Sequence, residues 1–226
     1  MPRARNTSPA SGPARPPDPP PAASTAGLVL AAGGGRRLGG RPKALLPHRG
    51  RPLVEHAVRM LREGGCHQVY VVLGAASDAV RERADLDGCV LVDNPHWADG
   101  MGASLRAGLA ALPRDGRFAA ALVSLVDQPG IGAAAVARVL AAGGTGLAAA
   151  AYGGERGHPV LFGADRWPEV ARSAVGDRGA RVYLTEHADA LTLVECGDVA
   201  QAYDIDLPED LSRLDGTGGP QARAAT

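Results

Sequence analysis

A loop rich in glycine and cationic side chains follows the first apolar run of the sequence. Residues 27–47 read GLVLAAGGGRRLGGRPKALLP, so a short hydrophobic segment leads into small residues, arginines and Lys43. Small residues let backbone N–H groups approach an anion closely, and Arg37 and Lys43 add positive charge. The loop therefore predicts a polyphosphate site, although the same residues would also suit a solvated turn with surface cations.

The loop matches neither of two common phosphate-binding patterns. A P-loop requires GxxxxGK[ST], whereas Lys43 follows a proline and precedes an alanine. The dinucleotide fingerprint requires GxGxxG, and Leu38 stands where the third glycine would follow Gly33 and Gly35. The sequence therefore argues against a P-loop enzyme and disfavours a nicotinamide or flavin enzyme of the Rossmann type.

A single carboxylate ends the most apolar segment of the chain. The sequence AALVSLVDQP places Asp127 directly after a predicted strand and before a Gln-Pro turn. A carboxylate at the carboxyl end of a strand is well placed as a hard oxygen ligand for Mg²⁺. Pro129 also fits an aspartate that only caps a turn or a helix. We interpret Asp127 as a metal ligand, with capping as the alternative.

The elements that position these residues alternate along the chain. Predicted strands cover residues 27–32, 68–73, 89–92, 119–126, 147–152, 160–162 and 191–195. Predicted helices cover residues 53–63, 77–83, 102–111, 133–142, 180–188 and 208–214. This alternation predicts βαβ units around a mostly parallel sheet, which binds ligands beyond the carboxyl ends of its strands. We expect one α/β domain over residues 27–215, with its site beside the loop after the first strand.

Composition excludes several classes of protein. The first 26 residues are rich in Pro, Ala and Ser and have no apolar signal core, so we expect a disordered arm there and a disordered tail at 216–226. Equal numbers of basic and acidic residues, 24 each, argue against a nucleic-acid partner, and no apolar run approaches a membrane span of about 20 residues. Three scattered cysteines suit a reduced, cytoplasmic protein.

Six short motifs, in order, resemble those of one enzyme family. LAAGGGRRLGGRPKALLP resembles the LAAGxSxRMGxxK signature of nucleotidyltransferases with the MobA-like, glycosyltransferase-A type fold. NPHWADGMGASLRAGL, LVDQP, GHPVLF, GDRGAR and DIDLPEDL resemble one branch, the molybdenum cofactor cytidylyltransferases. The first loop departs from the signature: Gly35 replaces serine, Leu38 replaces methionine, and one extra residue precedes Lys43. The resemblance implies a three-layer, Rossmann-like α/β domain with a mostly parallel central sheet.

The resemblance also implies a reaction and its cofactor. An acceptor phosphate would attack the α-phosphorus of a nucleoside triphosphate and release pyrophosphate, with Mg²⁺ offsetting the charge. Asp127 is one implied metal ligand. Asp206 is the second, with Asp204 as a close substitute because residues two apart face the same side of an extended chain. Lys43 and Arg37, with Asp127, are the implied catalytic residues, the two cations holding the triphosphate.

Substrate contacts follow from the same resemblance. The implied nucleotide-binding residues lie in the first loop and at the helix near residue 102, namely Ala31, Ala32, Gly33, Gly34, Gly35, Arg37, Lys43, Gly102 and Ser104. The last two would equally suit a simple helix start. The implied acceptor-binding residues are His158, Arg178 and Arg181, although a structural histidine and a surface ion pair are alternatives. The alanine pair in LAAG resembles the cytidine-selecting branch, since guanosine-selecting relatives usually carry glycines there.

These implications give a leading hypothesis and three alternatives. The leading one is transfer of CMP from CTP to a molybdopterin-type cofactor, with a molybdoenzyme or insertion chaperone as a further partner. The second keeps the fold and transfers a guanylyl or other nucleotidyl group to a small phosphorylated acceptor, as in deazaflavin cofactor synthesis. The third is an NAD(P)H-dependent oxidoreductase on the same fold. The fourth is a non-catalytic, nucleotide-dependent chaperone.

Overall fold

A computed structural model describes residues 24–144 and 146–214 of the chain, so residues 1–23 of the arm predicted over 1–26 and the whole predicted tail at 216–226 lie outside the described residues. The strands are β1 (Ser24–Leu30), β2 (Pro47–His48), β3 (Arg51–Pro52), β4 (Gln68–Leu73), β5 (Val90–Asp93), β6 (Phe118–Leu125), β7 (Leu147–Tyr152), β8 (Glu155–Gly163) and β9 (Thr192–Glu195). The helices are α1 (Leu53–Glu63), α2 (Ser77–Arg83), α3 (Met101–Ala111), α4 (Ala133–Gly143), α5 (Trp167–Ser173) and α6 (Arg181–Glu186). No helix in these two ranges is long and apolar enough to cross a membrane.

The central sheet has the strand order β5-β4-β1-β6-β8-β7-β9. Strand β1 is parallel to β4 and β6, β4 to β5, and β7 to β9, whereas β8 is antiparallel to both of its neighbours. Strand β4, QVYVVL, is apolar almost throughout because helices cover both faces of the sheet. The predicted α/β fold with a mostly parallel central sheet is confirmed.

Helices on both faces of the sheet complete three layers. Alternate residues of each strand face opposite sides. Val29 and Leu122 enter the core that includes residues of α1, α2 and α4, and Leu28 and Val72 enter the core that includes residues of α3, α5 and α6. Burial of these two apolar clusters holds the helices against the sheet and fixes the positions of the loops that follow the strands.

The element boundaries differ from the prediction where short or polar segments carry weak patterns. Strand β1 begins at Ser24 rather than at residue 27, because Ser24 and Thr25 already pair with β6. Strand β8 begins at Glu155 rather than at residue 160, because its polar first residues pair with the end of β7. The segment predicted as a helix at 208–214 is a 3₁₀ helix, Pro208–Arg213. Helix α5 and the β2–β3 ribbon were not predicted, because they are too short to show a clear periodicity.

Two buried histidines pack against each other between β2 and α1. The rings of His48 and His56 meet edge to face, with centroids 4.7 Å apart. Arg59 Nη2 lies 3.3 Å from His56 Nδ1. Burial, with the positive charge of His48 and Arg59 adding to it, lowers the pKa of His56 from 6.5 to about 4. The folded protein therefore holds His56 neutral at pH values where the unfolded chain protonates it.

We expect the free energy of unfolding to fall as the pH drops from 6.5 to about 4, because only the unfolded chain takes up a proton at His56 in that window. The effect amounts to at most about 3 kcal/mol and levels off below the folded pKa. Urea denaturation across this range should show a shallower pH slope for His56→Gln than for the wild type. The exposed His67→Gln serves as the control, and an unchanged slope in His56→Gln would contradict the prediction.

Candidate active site

One edge of the sheet gathers the segments that carry the predicted site. The parallel strands β1, β4 and β6 all end there, and β8, antiparallel to β6, begins there with Arg156 and His158. The backbone N–H of Ile205 donates to the carbonyl oxygen of Asp127 at 2.8 Å. This bond lays the segment with the two later aspartates beside the end of β6. The site therefore lies beyond the carboxyl ends of the strands, where ligands bind in sheets of this kind.

Gly35 fixes the shape of the glycine-rich loop. Its φ of +60° lies in the left-handed region that favours glycine. Its carbonyl oxygen accepts the N–H groups of Leu38 and Gly40 at 2.8 and 3.0 Å. A Cβ atom at this position would lie 1.8 Å from the carbonyl oxygen of Arg41. Gly33 differs, because a Cβ there would meet no atom within 4 Å and would enter open space.

Gly35→Ala should therefore distort the loop, whereas Gly33→Ala should leave it folded. We expect Gly35→Ala to lower the free energy of unfolding by about 1–3 kcal/mol and to weaken nucleotide binding with it, because the turn must open. Gly33→Ala is the matched control for stability and should leave the melting temperature of the nucleotide-free protein unchanged. Thermal melts with and without nucleotide measure both effects, and equal melting temperatures for the two variants would show that the turn is not strained.

A small apolar cluster ties the first loop to the end of the domain. Leu38 and Leu46 of the loop pack with Leu53, Ile205 and Leu214, all of them buried. Because Ile205 points into this cluster, its two neighbours in the extended segment point the other way, towards the sheet edge. The cluster thus holds the loop cations and the later aspartates at a fixed separation.

Lys43 lies between two carboxylates. Its Nζ donates to Asp127 Oδ2 at 2.7 Å and to Asp206 Oδ1 at 2.9 Å. Arg37 donates to the other oxygen of Asp206, but its side chain is 71% exposed, whereas that of Lys43 is only 14% exposed. The structure thus brings together four of the predicted residues in one charged cluster, Lys43, Asp127, Asp206 and Arg37.

The charges of this cluster depend on one another. Burial raises the pKa of Asp127, and the nearby Lys43 offsets this only in part. Burial lowers the pKa of Lys43, but Asp127 and Asp206 more than offset it, so that the pKa lies above its usual value. Hydrogen bonds from Lys43 and Arg37 hold the pKa of Asp206 below its usual value, although partial burial opposes them. The arrangement favours positive charge between the two carboxylates.

The two later aspartates have different surroundings. Asp206 contacts Lys43, whereas Asp204 Oδ1 accepts a hydrogen bond of 2.8 Å from Gln128 Nε2 and is exposed. Asp210 accepts the N–H groups of Asp206 and Leu207 at 3.1 and 2.9 Å, which fixes the backbone where the 3₁₀ helix begins. Asp206 rather than Asp204 therefore faces Asp127 across a single cation.

The carboxylate pair fits a divalent cation that arrives with a nucleotide. Magnesium is commonly held by one or two carboxylates, with substrate phosphates and water completing six oxygen ligands. Asp127 and Asp206 supply such a pair, with oxygens aimed at one point. Within residues 24–144 and 146–214, no group of three or more His, Cys, Asp or Glu side chains forms a metal cluster.

A cleft of about 250 Å³ lies over the end of β1. Its lining includes five of the predicted nucleotide-binding residues, Ala32, Gly33, Gly34, Lys43 and Ser104. Trp97 forms one wall, and its ring would lie 3.3 Å from a Cβ at Gly34. Asp127 lies in the same lining, so the cleft reaches one carboxylate of the pair and the lysine between them.

Four predicted nucleotide-binding residues lie outside this lining. Ala31 packs in the core on the opposite face of the sheet, and Gly35 forms the loop turn. Arg37 reaches across to Asp206. A Cβ at Gly102 would lie 2.8 Å from backbone atoms of Ala174, so this glycine lets α3 pack closely against the loop after α5. In each case the main role visible in the structure is local packing or pairing.

Ser104 combines a place in the cleft with a structural bond. Its side chain is buried, and its hydroxyl oxygen accepts a hydrogen bond of 3.1 Å from Asn94 Nδ2. This bond joins α3 to the loop after β5. A hydroxyl that accepts from one side can still donate its own hydrogen, so Ser104 keeps a donor for a ligand.

A second cleft of about 380 Å³ adjoins the first. Arg178, Arg181 and His158 all contribute to its lining, as predicted for an acceptor site, and Arg156 adds a further cation. Apolar side chains, including that of Phe162, form its floor. The two clefts share the residues Leu30, Met101, Leu125 and Asp177. The geometry thus offers two adjoining chambers, one of which is both cationic and apolar.

His158 is a neutral group in this second cleft. Burial, opposed by the negative charge of Asp204 and aided by the positive charge of Arg156, lowers the pKa of His158 to about 4. At neutral pH the ring therefore provides one donor and one acceptor, but no charge. The arginines therefore supply the positive charge for anion binding in this cleft, and His158 can only form hydrogen bonds.

Several lining residues carry signals that motif reading missed. Asp177 lies within GDRGAR beside Arg178, and its Oδ1 would be 2.5 Å from a Cβ at Gly100, so it lies between the clefts. Arg36 lines the first cleft, although Arg37 was the residue expected to do so. Arg156 directly precedes the GHPVLF motif. Their places depend on how distant segments meet, and no local pattern encodes that.

The fold and the site define a class of protein. A mostly parallel sheet carries a glycine-rich cationic loop, a carboxylate pair and two adjoining clefts at one edge, which is the arrangement of an enzyme that joins anionic substrates. The chain belongs to the MobA-like NTP transferase family, whose domain model matches residues 27–191, and it is therefore a nucleotidyltransferase. The predicted family resemblance is confirmed at this level.

Individual relatives are similar to this chain along most of its length. The chain is 43% identical over 187 residues to Nicotine blue oxidoreductase of Paenarthrobacter nicotinovorans, covering 79% of this chain and 90% of the relative. A homolog of Mycobacterium tuberculosis Rv0371c from Mycobacterium sp. strain JC1 is similar in structure, with a TM-score of 0.71 at 32% identity over 84% of this chain and 94% of that one. A manganese complex of Rv0371c from Mycobacterium tuberculosis H37Rv gives a TM-score of 0.72 at 28% identity over 86% of this chain and 100% of that one.

Proposed function

We propose that this chain transfers CMP from CTP to the phosphate of a molybdopterin-type cofactor, in a reaction that depends on Mg²⁺. The cluster of Lys43, Asp127 and Asp206, of which Lys43 and Asp127 line the first cleft, carries the proposal. An oxygen of the acceptor phosphate would attack the α-phosphorus, and the bond from that phosphorus to the bridging oxygen would break. Pyrophosphate would leave with the electron pair. The product would be a cytosine dinucleotide of the cofactor.

The first cleft suits the nucleotide. Lys43 and Arg36 line it and would neutralise the phosphates, and the small residues Gly33 and Gly34 let backbone N–H groups come close. Asp127 and Asp206 would hold the divalent cation, which supplies charge neutralisation on the phosphates. A manganese complex in the relative Rv0371c supports a divalent metal here. Positioning and electrostatics would provide most of the rate enhancement, as in other phosphoryl-type transfers.

The second cleft suits the acceptor. Arg156, Arg178 and Arg181 would bind its phosphate, and guanidinium groups match phosphate geometry well. The apolar floor with Phe162 and the neutral His158 would contact a heterocycle that needs both stacking and hydrogen bonds. The choice of cytosine rests on the resemblance of LAAG to the cytidine-selecting branch, and of its two alanines only Ala32 lines the first cleft. A molybdoenzyme or its insertion chaperone in the cytoplasm would then receive the product.

Product analysis tests the finer proposal. The protein is incubated with Mg²⁺, molybdopterin cofactor and either CTP or GTP, and the products are separated and identified by mass spectrometry. We expect a cytosine dinucleotide from CTP and little product from GTP. A guanine product would contradict the base choice. Transfer only to another phosphorylated acceptor, such as a phosphorylated acid of deazaflavin synthesis, would contradict the acceptor.

One observation favours a second candidate function. The 43% identical relative bears the name Nicotine blue oxidoreductase, which supports the alternative of an oxidoreductase on the same fold. The missing GxGxxG pattern and the carboxylate pair speak against it in this chain. Oxidation of NADPH in the presence of EDTA would favour reduction. Loss of all activity on adding EDTA would favour transfer.

A further inference from the structure

We propose that Lys43 is a resident cation of the metal site, and that its ammonium must leave Asp127 and Asp206 before a divalent cation can bind there. The inference rests on the proposed function, because that function supplies the metal. It adds an order of events to it: the triphosphate draws Lys43 away, and the metal takes the place that the ammonium held. Free metal and Lys43 thus compete for the same two carboxylates.

The contacts support competition. Lys43 Nζ lies 2.7 Å from Asp127 Oδ2 and 2.9 Å from Asp206 Oδ1, so each carboxylate directs one oxygen at the same nitrogen. A magnesium ion held by these oxygens at about 2.1 Å would overlap the ammonium. Arg37 uses the remaining oxygen of Asp206 from the exposed side and does not occupy that point.

The lysine can move without the backbone. Lys43 begins a short 3₁₀ helix, Lys43–Leu45, whose neighbours Ala44 and Leu46 are buried. Its flexible side chain also lines the cleft assigned to the nucleotide, beside Gly33 and Gly34. Rotation of that side chain would carry the ammonium from the carboxylates towards the phosphates.

Lysine is otherwise absent from the sequence. Lys43 is the only lysine in a chain with 24 lysine and arginine residues, so every other basic residue of these two types is an arginine. A guanidinium forms a planar fork that would bind a carboxylate through two hydrogen bonds and hold it. A compact ammonium is easier to displace. A lysine at this position therefore suits a cation that must dissociate from the two carboxylates during binding.

Because Lys43 and the metal compete for the same carboxylates, the metal and the triphosphate bind cooperatively. A triphosphate that binds Lys43 frees the carboxylates for metal, and by reciprocity a bound metal frees Lys43 for phosphate. The metal would therefore bind weakly in the absence of nucleotide, and tightly with it. The site would therefore hold little metal until the nucleotide is bound.

Binding of Mn²⁺ in the absence of nucleotide tests this directly, by electron paramagnetic resonance of the free ion. We expect Lys43→Gln and Lys43→Met to bind Mn²⁺ roughly tenfold more tightly than the wild type. Arg36→Gln is the matched control, because it removes the same charge from the same cleft without contacting either aspartate. Its affinity should stay within about twofold. Equal or weaker Mn²⁺ binding in both Lys43 variants would overturn the proposal.

The wild-type protein offers a measurement that does not depend on the variants folding. Because Lys43 is the only lysine, isotope labelling of lysine gives one side-chain signal with no need for assignment. We expect its Cε and Nζ resonances to shift when Mg²⁺ and a non-hydrolysable CTP analogue are added together. Resonances that stay fixed while calorimetry shows the metal binding would contradict the proposal. Neither experiment requires nucleotidyl transfer, so both can fail or succeed independently of the proposed reaction.

Discussion

Replacing Asp127 by asparagine is expected to lower kcat by about 10²–10³-fold while metal-free nucleotide binds at least as well as before. The carboxylate acts on the reaction through the divalent cation, and asparagine keeps its shape but not its charge. When no metal is present, the substitution only removes a negative charge that repels the phosphates of the nucleotide. Steady-state kinetics and a fluorescent nucleotide titration in EDTA would measure the two quantities separately.

The fold of this variant should survive, which makes the result interpretable. Asparagine retains an oxygen to accept from Lys43, and Asp206 still provides a partner for that lysine. The backbone carbonyl of residue 127, which accepts from Ile205, is untouched. An unchanged kcat would remove Asp127 from the mechanism, and loss of metal-free nucleotide binding would mean that its role is structural.

Asp206→Asn and Asp204→Asn should differ sharply, although the two residues are only two positions apart. We expect Asp206→Asn to lower kcat by about 10²-fold and to weaken Mn²⁺ binding in the presence of nucleotide, because Asp206 faces Asp127 across Lys43. Asp204 accepts a hydrogen bond from Gln128 and lines the second cleft, so Asp204→Asn should leave the metal affinity nearly unchanged and mainly lower the KM for the anionic acceptor, because it removes a negative charge from that cleft.

Each of these variants is the control for the other. Both remove one negative charge near Asp127, so a general electrostatic effect would change the two alike. Metal affinities and KM values measured side by side separate the roles. Equal losses of metal affinity in the two variants would contradict the assignment of Asp206, and a larger loss in Asp204→Asn would reverse it.

The sequence predicted the layout of the fold because its main elements have strong patterns. Strand β4 and helix α1 have the predicted bounds, since a continuous apolar run and a 3.6-residue periodicity are both unambiguous there. The loop after β1 and Asp127 after β6 follow from the rule that parallel strands end at one edge. These features depend on residues that are close together in the sequence, so they can be predicted from the sequence alone.

The remaining details of the site depend on contacts between distant segments. Sequence alone left Asp204 and Asp206 as alternatives, and only the contacts of the folded chain, Lys43 with Asp206 and Gln128 with Asp204, distinguish them. Similarly, Arg156 lines the second cleft because β8 runs antiparallel to β6. Strand direction and side-chain contacts between distant segments are tertiary properties, which no motif specifies.

The most direct test of the central claim is release of pyrophosphate with Mg²⁺, molybdopterin cofactor and each of CTP, GTP, ATP and UTP in turn, with and without EDTA. The account predicts release with CTP, none with the other three, and none when EDTA removes the metal. No release of pyrophosphate with any of the four nucleotides in the presence of Mg²⁺, or release that persists in EDTA, would contradict the account.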